Sequence, residues 1–190
     1  MALHTLYHGS NAVVEQPLHD KGRVDTDFGV GFYTSSELSM VEKWACRKQP
    51  AIINEYRINT DELKIYKFNS DREWLDFVIG NRQMRTMQDS NYAEYDVLIG
   101  PTADDKLFST IEQYENGYIT AETACKVLDC MKVGEQVVLK TQKAINSLIF
   151  VQAYELSKSK TESTRVVINE ERKEAEMLTQ TIIREAVAGK

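Results

Sequence analysis

Short β-branched or aromatic runs recur along this chain, separated by segments with helical apolar spacing, and that alternation restricts it to a mixed α and β fold. Leu3 to His8 alternates as a strand, and Ile52 to Ile58, Leu63 to Phe68, Tyr95 to Ile99, Gln136 to Lys140 and Ser147 to Tyr154 add further strand candidates. Met40, Val41, Trp44 and Ala45 mark one side of a helix opening after Ser35 or Ser36, and Trp74, Leu75 and Val78 mark another after Ser70. A capping-box-like spacing at Thr102-Ala103-Asp104-Asp105 predicts a helix burying Leu107, Phe108, Ile111 and Tyr114. A fourth follows Thr120 with Ala124, Leu128 and Met131 inward. No Ser- or Gly-rich linker and no fixed-period repeat divides these elements, so one compact body is expected.

The last segment, Asn169 to Val187, is rich in Glu, Arg and Ala, and its Leu178, Ile182, Ile183 and Ala186 form a narrow apolar stripe. Packing of a terminal helix explains such a stripe more readily than a partner surface does, although a small neutralising partner is a second reading.

Composition narrows the function classes. With 190 residues, 42% hydrophobic and 27% charged, the chain falls in the ordinary globular range. No stretch approaches the roughly 20 apolar residues that cross a bilayer, and the first residues lack a secretory pattern. A cytoplasmic protein without membrane association is therefore expected. The formal net charge of −6 argues against broad binding to duplex phosphate, leaving nucleic acid only as a specific substrate. Cys46, Cys125 and Cys130 lack paired spacing, and His4, His8 and His19 do not complete a zinc site, so neither disulfide nor metal is expected.

Two clusters carry chemistry. In Leu6-Tyr7-His8-Gly9-Ser10 a strand delivers an imidazole at its end and turns on a glycine, beside which a ligand can approach the backbone. In Asp27-Phe28-Gly29-Val30-Gly31-Phe32-Tyr33-Thr34-Ser35-Ser36 two glycines bend a loop sharply into a strand that presents an aromatic ring. The glycines have neither dinucleotide-fold nor P-loop spacing. Each cluster alone has an ordinary structural explanation.

Taken in order, the clusters resemble the PARP-like and diphtheria-toxin-like branch of the ADP-ribosyltransferase superfamily, which pairs a strand ending His-Gly-Ser/Thr with a later Gly-x-Gly-x-Tyr segment and a Ser-rich helix start. The chain is also similar to a bacterial family of unknown-function proteins, marked by Asp-Phe-Gly-x-Gly-Phe-Tyr, Asn81-Arg82 and the run from Tyr95 to Asp105, over about Leu6 to Phe150. The resemblance implies an α+β fold with a split mixed or antiparallel β-sheet core, flanking helices and a C-terminal helix. It further implies an ADP-ribosyltransferase-like domain over residues 1–160, followed by a helical extension over 161–190.

The same resemblance implies NAD as substrate, with His8, Tyr33 and Gln136 as the catalytic set and His8, Gly9, Ser10, Arg23, Phe28, Gly31 and Tyr33 at the nucleotide. His8 would hold a ribose hydroxyl, the Gly9 backbone the nicotinamide carboxamide, and the Tyr33 ring would stack on the nicotinamide. The superfamily places a glutamate at the start of a late strand. Only one of Glu135 and Gln136 can face the pocket, because neighbouring strand residues point to opposite sides; the resemblance to the bacterial family puts Gln136 inside and Glu135 at the rim. Arg23 matches a pyrophosphate bidentately, or forms a surface pair with Asp25 or Asp27. Asn81 and Arg82 would bind the acceptor or end the Trp74 helix, and Asp104 and Asp105 are explained by capping. The implied activity is single ADP-ribose transfer to an intracellular protein or nucleic-acid acceptor, with a non-catalytic NAD-binding module or an NAD glycohydrolase as alternatives.

Overall fold

The computed structural model describes residues 3–83, 89–103, 108–130 and 134–188. Within them the chain builds two sheets. The first is antiparallel in the order β1 (Leu3–Ser10), β3 (Ile52–Asn59), β7 (Leu148–Glu155). The second runs β2 (Phe32–Thr34), β6 (Glu135–Leu139), β5 (Val97–Pro101), β4 (Ile65–Lys67), antiparallel except where β4 and β5 pair in parallel. A reciprocal backbone pair, Tyr7 N to Ser35 O at 2.8 Å and Ser35 N to Tyr7 O at 3.0 Å, stitches β1 to the end of β2. The architecture is the mixed α+β class expected from the strand and helix alternation, with the strands divided between two sheets.

Helices flank the sheets where the apolar spacing places them. α1 (Leu38–Ala45) buries Met40, Val41 and Ala45. Its start differs from expectation: neither serine caps it, and Ser35 Oγ instead accepts the Glu37 N–H at 3.0 Å while donating to the Glu135 carbonyl at 2.7 Å. Ser35 thereby joins β2 to β6 rather than closing a helix. α2 (Arg72–Arg82) is capped by Asp71, which accepts from Trp74 N at 3.1 Å. It drives Trp74, Leu75, Phe77 and Val78 into the main core with Phe28, Phe68 and Leu98. Each such side chain contributes roughly 1.5–3 kcal/mol on burial. α3 (Asp89–Tyr92) and α4 (Phe108–Glu115) follow, and α5 (Ala121–Asp129) is capped by Thr120 and buries Ala124 and Leu128. α6 (Gln142–Asn146) is capped by Thr141. Asp104, Asp105, Leu107 and Met131 lie outside the described residues.

α7 (Lys158–Ala188) begins at Lys158 rather than near Asn169. It runs over α1 and α5. Ala175 is buried, Ile182 and Ile183 pack against the main core, and Lys43 of α1 meets Glu171 at 2.7 Å. Leu178, expected in the inward stripe, is 50% exposed, because the helix turns its Ala175 line toward the body instead. No helix among the described residues is long and apolar enough to cross a membrane.

Candidate functional site

The loop between β1 and β2 is fixed before any ligand arrives. Asn54 of β3 accepts the Val14 N–H at 2.7 Å and donates to the Ala12 carbonyl at 3.1 Å, and the Tyr56 hydroxyl donates to the Val14 carbonyl. The loop then turns at Gly29, whose φ of +66° suits glycine and whose added Cβ would meet Asn81 Oδ1 at 2.9 Å. Beyond it Gly31 lies so close to β6 that a Cβ would stand 2.5 Å from Val138 Cγ1. This close approach sets β2 beside β6, in register Tyr33 to Val138. Tyr33 and Gln136 consequently share one face of the second sheet.

That face borders a cavity of about 160 Å³ lined in part by Arg23, Thr26, Tyr33, Trp44, Arg47 and Gln136. The Tyr33 hydroxyl accepts the Phe28 N–H at 3.0 Å and lies 2.6 Å from Thr26 Oγ1 and 2.7 Å from the Gly29 carbonyl, so the phenol fastens the turn while its ring borders the cavity. Burial pushes the Tyr33 phenol far above its ordinary range, which removes it as a proton acceptor.

A buried ion pair closes the floor. Arg82 reaches Asp27 Oδ1 with Nε at 2.8 Å and Nη2 at 2.5 Å, and both side chains are about 7% exposed. The other Asp27 oxygen accepts the Ala103 N–H at 2.8 Å and Gln136 Nε2 at 3.0 Å. Gln136 Nε2 also donates to the Pro101 carbonyl at 3.0 Å. Asn81 donates to the Asp27 and Phe77 carbonyls. Asn81 and Arg82 are thus the anchors of Asp27 at the end of α2, and the buried Asn81 side chain does not lie open to an acceptor.

The structure brings together Tyr33, Gln136, Arg23 and Arg82 of the residues expected from sequence. Arg23 sits at the exposed mouth, 3.6 Å from Asp25. His8 is adjacent rather than lining: its Nδ1 lies 2.7 Å from the Tyr33 carbonyl and its ring packs on Phe32 at 4.5 Å. A carbonyl only accepts, so Nδ1 carries the proton. Burial lowers the His8 pKa, opposed in part by that hydrogen bond, so the ring is neutral at pH 7. Gly9, Ser10, Phe28 and Gly31 do not line the cavity. Gly9 is explained by β1 crowding α1, since a Cβ there would meet the Val41 carbonyl at 2.8 Å. Ser10 Oγ accepts from Asn54 Nδ2 and belongs to the loop network. Phe28 is fully buried beside Phe68 and Phe77 and contributes core, not lining.

Glu135 faces the other way. Its carboxylate pairs with Lys67 at 2.6 Å on the wall of a separate cavity of about 230 Å³ between the two sheets, lined by Leu6, Ile58, Val97 and Val137 among others. Among the described residues the first cavity therefore has two carboxylates: Asp27, whose oxygens are occupied, and Asp25 at the mouth. Among the described residues no group of His, Cys, Asp and Glu is arranged to hold a metal ion. Arginines, an aromatic ring and a fixed amide suit an anionic ligand with a flat ring, and a reaction whose bond breaks without a strong base.

Sequence reasoning missed the central place of Asp27 and the contributions of Trp44 and Arg47 to the wall. Asp27 and Arg82 both stand inside motifs visible in the chain, but their mutual burial depends on α2 returning to the loop.

A family model described as "Protein of unknown function (DUF3990)" matches residues 4–150, so the chain belongs to that family. No curated protein and no solved structure matches it.

Proposed function

We propose that this member of the family is an NAD-dependent mono-ADP-ribosyltransferase, passing ADP-ribose to a protein or nucleic-acid acceptor inside the cell and releasing nicotinamide at the cavity bordered by β2 and β6. One observation carries the reading. Tyr33 and Gln136, from two strands distant in sequence, meet in a single cavity whose remaining wall is rich in arginine. That pairing supports the superfamily resemblance of the His-Gly-Ser and Gly-x-Gly-Phe-Tyr segments.

In this reading the Tyr33 ring stacks on the nicotinamide, held in place by its hydroxyl bonds to the Thr26–Gly29 turn. Arg23 and Arg47 face the pyrophosphate. His8 braces β2 from beside the cavity through the Tyr33 carbonyl, and so acts on the ligand by holding the Tyr33 strand. Cleavage of the nicotinamide–ribose bond places positive charge on the sugar, and an ordered ribose in a preorganised site lowers that barrier. Gln136 orients the sugar but cannot remove a proton, so a single transfer to a good nucleophile, or slow hydrolysis, is expected rather than polymer growth. NAD is the substrate, and no metal takes part.

Purified protein should release nicotinamide from NAD, and Tyr33→Ala and Gln136→Ala should each lower kcat/KM by roughly 2–4 kcal/mol of barrier. Absence of NAD binding by the wild type would sink the proposal. The amide at Gln136 and the position of His8 outside the cavity wall favour one second reading, a binding module without turnover. Calorimetric NAD binding with no nicotinamide release over long incubation selects it.

A further inference from the structure

We infer that Asp27 is a positioning residue that locks the Gln136 side chain with its amide nitrogen turned away from ligand, so that Gln136 meets whatever occupies the cavity only as a hydrogen-bond acceptor. The group of the ligand seated against Gln136 must then be a donor, a hydroxyl or an amino group, and an acceptor-only group in that place is rejected. The inference rests on the reading of the cavity as an NAD site for the identity of its probe, but not for the lock itself.

The lock follows from hydrogen-bond chemistry. A glutamine amide can ordinarily turn over, exchanging its donor and acceptor ends. Here Nε2 lies 3.0 Å from Asp27 Oδ2 and 3.0 Å from the Pro101 carbonyl, and both partners accept only. Turning the amide over would set Oε1 against two acceptors, so one orientation survives. Neither partner can rotate to relieve that clash. Asp27 Oδ1 is held by Arg82 Nε and Nη2 and Oδ2 also receives the Ala103 N–H, while the Pro101 carbonyl sits on β5 and accepts Trp74 Nε1 at 3.1 Å. Gln136 itself is 2% exposed, on a strand paired on both sides. With both amide protons engaged by protein, Oε1 is the polar atom left for a ligand in the cavity that Gln136 lines.

The same geometry gives Asp27 a role apart from chemistry. Its oxygens are filled by Arg82, Ala103 and Gln136, so it acts on ligand through the amide it orients. A glutamine with no such partner would accept or donate as the ligand required. Selectivity for a donor is therefore a property of the Asp27–Gln136 pair.

Two measurements test this. On the protein alone, both side-chain amide protons of Gln136, followed by NMR, should exchange slowly in the wild type, and at least one should exchange faster in Asp27→Asn. Rapid exchange of either proton in the wild type overturns the lock. On the complex, binding of NAD is compared with binding of the analogue carrying fluorine in place of the nicotinamide-ribose 2′-hydroxyl, since carbon-bound fluorine cannot donate. The wild type should prefer NAD by about tenfold, Gln136→Met should lose that preference, and Asp27→Asn should narrow it while still binding NAD. Equal binding of the two by the wild type, or a preference that survives in Gln136→Met, overturns the donor requirement. If Asp27→Asn does not fold, Gln136→Met and the wild-type amide protons decide alone. Failure of the wild type to bind NAD defeats the proposed function, whereas the amide protons still decide the lock.

Discussion

Tyr33 makes the contacts that best separate architecture from chemistry, because its hydroxyl serves the turn and its ring serves the cavity. Tyr33→Phe should keep the ring surface and release the Phe28 N–H and Thr26 hydroxyl, costing about 1–3 kcal/mol of stability by urea unfolding, with NAD affinity falling less than in Tyr33→Ala. His8 gives a pH signature. Its folded pKa is lowered by burial, so the unfolded chain binds more protons below pH ~6.5 and stability should fall as pH drops through that value. Urea midpoints measured between pH 5 and pH 7.5 should show a smaller slope in His8→Asn than in the wild type. Arg82→Met should be the most damaging of the single changes around the cavity, since it strips the guanidinium from a buried carboxylate, at roughly 3–5 kcal/mol.

At the level of elements, much was legible in the chain. The strand runs needed only β-branched and aromatic patterning, and their ends moved by a residue or two where pairing decided the boundary, as when β5 continued through Gly100 and Pro101 to meet Glu135 and Gln136. Alternation put Glu135 and Gln136 on opposite faces, and the family resemblance chose Gln136 as the inward one. The apolar stripe read from Asn169 to Val187 covers only part of α7, which starts close to the 161–190 helical extension that the resemblance implies, and a long helix lying on a surface is held by scattered contacts such as Lys43 to Glu171 rather than by a dense stripe. The site was harder. Asp27 and Arg82 looked like ordinary polar residues, since nothing local reveals that two charges bury each other across a fold. The glycines were legible as special, yet their reasons differ: Gly9 gives way to α1 and Gly31 to β6. Gly9→Ala should accordingly cost about 1–3 kcal/mol through overpacking, with no change in the ligand specificity of the remaining folded protein. Deleting residues 169–190 should lower the melting temperature by uncovering the surface under Ala175 and Ile182, a result that calorimetry distinguishes from simple loss of a partner surface.

For the whole molecule, ligand and stability are linked. If the cavity is the NAD site proposed above, NAD at a hundred times its Kd should add about 2.7 kcal/mol to folding, which for a chain of this size raises Tm by several degrees, and Gln136→Ala should shrink the shift at the same concentration. The sheet order has a consequence for biosynthesis. β2 meets β1 at the Tyr7–Ser35 pair, but it pairs along its length with β6, and β3 needs β7 on its far side. A ribosome adding roughly 5–20 residues each second would release Tyr33 many seconds before Val138, so contacts this distant form late and slowly. The nascent protein would carry Arg23, Tyr33 and Trp44 well before Gln136 exists to complete the cavity that they line.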